Sequence, residues 1–84
     1  MNKRKLLQKL QAGSENIHFA ELVALIEAFG FELVRVSGSH HVFEHLQVLE
    51  LINIQNCQGK AKPYQVRQFL KLIKRYHMEL EKGE

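Results

Sequence analysis

The chain contains a single cysteine, Cys57, and a single proline, Pro63, among 84 residues. One thiol excludes an internal disulfide framework and a cysteine-rich zinc site. Long apolar runs are missing too. The longest, Leu22 to Ile26, falls far short of the ~20 residues that a membrane span requires. The basic start "MNKRKLL" is not followed by the apolar core and small-residue cleavage site of a secretory signal, so the cytosol is the default location and no membrane is expected as a partner. There is no internal repeat and no low-complexity segment.

What is present has the balance of an ordinary globular protein, with 45% hydrophobic and 25% charged residues. The length suits one domain, residues 1–84. The net charge of +3 is unevenly spread. Residues 1–12 carry four bases and no acid, residues 13–59 carry six glutamates against Arg35 alone, and residues 60–84 carry seven bases against three acids. Basic ends suit a polyanion such as RNA or DNA. The acidic middle argues against a uniform nucleic-acid coat, and solvated helix faces account for the charges equally well.

Periodicity predicts the elements. "KRKLLQKLQ", residues 3–11, forms a short basic helix with Leu6, Leu7 and Leu10 on one side. Apolar residues at Phe19, Leu22, Val23, Ile26 and Phe29 mark one face of a second helix, stopped by Gly30; Ser14 and Asn16 are both candidate N-caps. "FELVRV" (31–36), "HHVFEH" (40–45) and "LELINIQ" (49–55) read as strands. "SGS" is turn chemistry between the first two. The link "LQV" contains no Gly, Pro, Asn or Asp and fits no standard turn. Pro63 suits the first residue of a last helix, running from 63 to about 80 with Val66, Phe69, Leu70, Ile73, His77 and Leu80 inward. The order predicts an α+β fold, with three sequential antiparallel strands covered on one face by helices.

Three of the five histidines, His40, His41 and His45, fall within six residues directly after the Ser-Gly-Ser turn. On a strand, His40, Val42 and Glu44 point one way and His41, Phe43 and His45 the other. His40 and His41 therefore cannot easily share a metal ion, and His41 and His45 stand about 13 Å apart along a strand. The four-ligand requirement of a structural zinc is not met. Nothing places Cys57 beside a histidine, so nucleophilic catalysis has no motif. A histidine acid/base mechanism remains. RNA brings its own nucleophile, the ribose 2′-hydroxyl, and its cleavage needs only a proton acceptor, a proton donor and positive charge near the phosphorus. The competing reading is that these are ordinary surface residues of a strand.

"FGFELVRVSGSHHVFEH" resembles the signature of the HicA family of toxins, and "GKAKPYQVRQFLKLI" is similar to the C-terminal helix of one branch of that family; the resemblance covers residues 17–78. It implies a double-stranded-RNA-binding-domain-like fold, a cofactor-free, metal-independent endoribonuclease acting on mRNA, and a HicB-type antitoxin partner that occludes the active site. It further implies that residues 1–16 are a basic N-terminal extension of a core spanning residues 17–80. It also implies one essential histidine at the start of the second strand: His40, or His41 if the register slips by one. Gly38 would allow the tight turn, and Ser39 would orient the phosphate or the imidazole. Lys60 and Lys62, beside a helix N-terminus, are the favoured RNA contacts. Arg67 and Lys71, on a basic helix flank with Lys74 and Arg75, are further candidates, and a solvated flank explains each of those four singly. A small RNA- or DNA-binding module without catalysis, or a decayed toxin that only binds its antitoxin, is the alternative.

Overall fold

The computed structural model describes residues 2–80; Lys82, one of the seven C-terminal bases, lies outside them. Its order is α1 (Lys3–Ala12), α2 (Phe19–Ala28), β1 (Glu32–Ser37), β2 (His40–His45), β3 (Val48–Gln55) and α3 (Pro63–Arg75). The strands form an antiparallel meander with β2 in the centre. This is the α+β arrangement that the pattern predicts, and it is consistent with a double-stranded-RNA-binding-domain-like fold carrying an extra N-terminal helix.

That first helix is no loose appendage. The Asn2 side chain caps it by accepting from the N–H groups of Arg4 and Lys5. Leu6 and Leu10 are buried in the common core with α2 and the sheet, and Lys9 reaches Glu21 of α2 at 2.7 Å. The N-cap of α2 is His18, not Ser14 or Asn16. Glu21, three residues on, accepts from the His18 backbone N–H at 2.9 Å, so a glutamate does the capping that a hydroxyl or amide was expected to do. The helix ends at Ala28, and Gly30, with φ +92°, turns the chain back toward the sheet.

The two hairpins turn by different means. Between β1 and β2, Gly38 takes φ +59° while Ser39 stays at negative φ, the pattern of a two-residue turn that requires glycine first. Between β2 and β3, Leu46 and Gln47 make the turn with no positive φ. Its missing turn chemistry is supplied by His45, whose Nδ1 accepts from the Gln47 backbone N–H at 3.0 Å. An irregularity at Val34 shifts the β1–β2 register by one residue. One face of the sheet, with Phe43, Ile52 and Ile54, packs on the helices. The other carries Arg35, Ser37, His40, Glu44, Leu51 and Asn53, all exposed.

The last helix stops at Arg75, short of the predicted Leu80. His77 adopts φ +53°, and the Met78 N–H bonds back to the Ile73 carbonyl at 2.8 Å, a left-handed termination built on histidine where glycine is usual. His77 is consequently exposed and not part of the inner stripe. The buried positions of α3 are Gln65, Val66, Phe69, Leu72 and Ile73. Phe69 meets the rings of Phe29 and Phe31 at 5.8 and 6.4 Å.

Candidate active site

The structure separates the three clustered histidines into three roles. His45 lies on the helix face, half-buried against Phe31 with ring centroids 5.0 Å apart, and holds the second hairpin. His41 lies on the same face, edge-on to Phe19 at 4.9 Å, and its Nδ1 is buried with no hydrogen-bond partner among the described residues. Both are occupied by packing and turn formation. His40 alone projects from the open face, as the strand alternation predicts.

Its surroundings follow from the register. His40 stands opposite Ser37 on β1 and Gln55 on β3, with Asn53 diagonal to it. The Asn53 Oδ1 lies 3.4 Å from the His40 Nδ1. With the ring proton on Nδ1, the imidazole donates to this amide oxygen and its Nε2 lone pair is left to accept a proton. Among the described residues, no group of three or more His, Cys, Asp or Glu side chains is arranged to hold a metal ion.

Gly38 and Ser39 sit where the motif puts them, in the turn entering β2. Ser39 is fixed on two sides. Its carbonyl accepts from the Asn56 N–H at 2.8 Å, and its hydroxyl accepts from the Gln55 Nε2 at 3.2 Å. The Gln55 N–H in turn donates to the Oε1 of the buried Gln65 at 2.9 Å, so the end of β3 beside His40 is clamped to α3. Lys60 follows a tight turn in which Gln58 and Gly59 both take positive φ, at +54° and +86°. Backbone bonds from Phe19 to Gly59 and from Ala61 to Ile17 tie this loop to the start of α2. Lys62 is the N-cap of α3. The loop bearing both lysines therefore leaves directly from the strand end that pairs with His40.

The helix cations divide. Arg67 donates to the Ser14 hydroxyl at 2.9 Å. Lys71 lines a groove between β3 and α3 with Asn53, Gln68 and Arg75. At the far end of that groove Arg75 is paired with Glu50 at 2.6 Å. Tyr76 also donates to Glu50, which holds the Glu50 carboxyl below its usual range and, reciprocally, raises the Tyr76 phenol. Two open-face neighbours of His40, Asn53 and Arg35, escaped the sequence reading. Asn53 is visible only once the β2–β3 register is known, and a lone base within an apolar strand carries no pattern.

No helix among the described residues is long and apolar enough to cross a membrane. No curated protein and no solved structure matches the chain. The family model described as the HicA toxin of bacterial toxin–antitoxin systems matches residues 19–74, from the first turn of α2 almost to the end of α3, and on that match the chain belongs to the HicA toxin family.

Proposed function

We propose that this chain is the toxin of a toxin–antitoxin pair and acts as an endoribonuclease on mRNA, with His40 as its acid/base group. The carrying observation is the division of labour among the histidines: His41 and His45 are engaged by Phe19, Phe31 and the Gln47 N–H, while His40 stands exposed on the open sheet face. The reaction is a transesterification. His40 Nε2 takes the proton of the ribose 2′-hydroxyl, and the 2′-oxygen attacks the adjacent phosphorus. The bond from phosphorus to the 5′-oxygen breaks, and that oxygen receives a proton from the imidazolium, directly or through water. The products are a 2′,3′-cyclic phosphate and a 5′-hydroxyl, and no cofactor enters. One group serving both proton transfers makes a slow enzyme.

In this reading Gly38 sets the turn and Ser39 holds the entry to β2 in place. Lys60 and Lys62 meet the RNA backbone at the near end, where the N-terminus of α3 also favours anions. Lys71 continues the path along the groove, and Arg67 adds charge further round the helix. The partner is a HicB-type antitoxin that covers His40. The test is growth on induced expression: the wild-type chain arrests its host, co-expressed antitoxin restores growth, and His40→Ala is harmless at equal protein level. Arrest by a well-expressed His40→Ala chain would defeat the proposal.

A further inference from the structure

Val42 is only 4% exposed, yet it stands apart from the cluster of core residues that the helices cover. It lies on the open face of the sheet, next to His40 along β2. Strand pairing identifies its neighbours on that face. These are Arg35 directly across on β1, Asn53 directly across on β3, and His40 and Glu44 two residues away on its own strand. Arg35 and His40 are thus diagonal neighbours on one face, roughly 7–8 Å apart, a span that a guanidinium and an imidazole reach across easily.

The charge of Arg35 is uncommitted. Among the described residues no carboxylate lies within ion-pair distance of it; the pairs present are Lys9–Glu21 and Arg75–Glu50. On the same face Glu32 and Glu44 face each other directly across β1 and β2, an arrangement that like charges disfavour. Along the open face two acids stand toward the Leu46 hairpin and an imidazole toward the Gly38 turn, with Arg35 and Asn53 between them at the level of Val42, so that both His40 and Glu44 are diagonal neighbours of Arg35. An arginine fork suits a phosphodiester oxygen pair, and the acids at the other end repel a polyanion.

We infer that Arg35 is a phosphate ligand of the site, so that an RNA phosphodiester rests on the open sheet face above Val42, between Arg35 and His40. This deepens the ribonuclease reading and rests on it for the identity of the reacting phosphate. The phosphate contact is thereby assigned to the sheet, and Lys60, Lys62 and Lys71 hold flanking nucleotides.

The experiment measures binding of a short mixed-sequence 2′-O-methyl RNA, which lacks the nucleophile and is not cut, across a salt series. Wild type is compared with Arg35→Gln and with Lys74→Gln, which removes one exposed charge of α3 elsewhere; melting curves confirm that all three are folded. Arg35→Gln is expected to weaken binding about tenfold, the size of one lost charge-assisted hydrogen bond. It should also flatten the salt slope by about 0.7, one phosphate contact on a single strand, with Lys74→Gln close to wild type. Equal losses in the two variants, or no binding by wild type, would overturn the inference. The ribonuclease reading fails separately: weakened binding by Arg35→Gln in a protein that cuts no RNA leaves the phosphate site standing and removes the chemistry. Normal binding and cutting by Arg35→Gln does the reverse.

Discussion

Replacing His41 should make the protein more stable, the opposite of what a substitution beside the active-site histidine would ordinarily do. The His41 ring packs edge-on to Phe19 with centroids 4.9 Å apart, and its Nδ1 is buried with no partner among the described residues. A buried polar atom left unpaired costs about 1–3 kcal/mol. His41→Phe keeps the edge-to-face pair and removes the nitrogen; His41→Leu removes it with a smaller side chain, which guards against overpacking. At least one of the two should gain about 1–3 kcal/mol, and for a domain of this size each kcal/mol raises Tm by about 4–8 °C. The assay is thermal unfolding followed by circular dichroism, with RNA cleavage measured on the same samples. Cleavage should persist, because His41 faces the helices and His40 the open side. If both variants fold yet melt below wild type, the Nδ1 atom is not a liability and the reasoning fails. If both lose cleavage while remaining folded, the roles of His40 and His41 have been reversed.

Two further substitutions follow from the helix ends. The Glu21 carboxyl is held below its usual range, chiefly by the Lys9 hydrogen bond and then by the His18 backbone N–H. Its stabilisation is complete above the unfolded carboxylate range and is lost as pH falls through the lower folded value. Wild type should therefore exceed Glu21→Gln by up to about 1 kcal/mol near neutrality, since Lys9 is half-exposed and the pair is screened. Denaturant melts at several pH values should show the two converging below about pH 4, and a gap that widens in acid would contradict this. His77→Gly should raise stability by about 0.5–1 kcal/mol, because His77 holds φ +53° where glycine carries no side-chain clash; an unchanged or lower urea midpoint would show that the His77 side chain contributes more than its backbone costs.

Most of the architecture was legible because it rests on local rules. Apolar spacing marked α2, alternation marked the strands, and Pro63 marked the start of α3. The alternation also assigned His40 to one face and His41 to the other. What the sequence hid was of two kinds: local roles taken by residue types that do not usually fill them, and contacts made only by strand pairing or across the fold. The hairpin at Leu46 matches no standard turn in sequence because its turn chemistry sits in the His45 side chain. The cap of α2 was missed because Glu21 supplies it from inside the helix to a histidine backbone. The early end of α3 depends on a histidine doing what glycine usually does. Around the candidate site, the Gly38, Ser39 and His40 run announces itself, whereas Asn53 and Arg35 become neighbours of His40 only through strand pairing. Arg67 and Lys71 looked alike on a helical wheel, but the Ser14 hydroxyl draws the first away from the groove that the second lines.

The central claim, that His40 alone among the clustered histidines moves the protons of RNA cleavage, is tested most directly by purified protein, RNA and excess EDTA. Wild type, His40→Ala and His41→Ala are compared, and the product ends are identified. The account predicts cleavage in EDTA by wild type and by His41→Ala, fragments ending in 2′,3′-cyclic phosphate and beginning with 5′-hydroxyl, and no cleavage by a folded His40→Ala. Cleavage that survives in His40→Ala, or that EDTA abolishes, would contradict it.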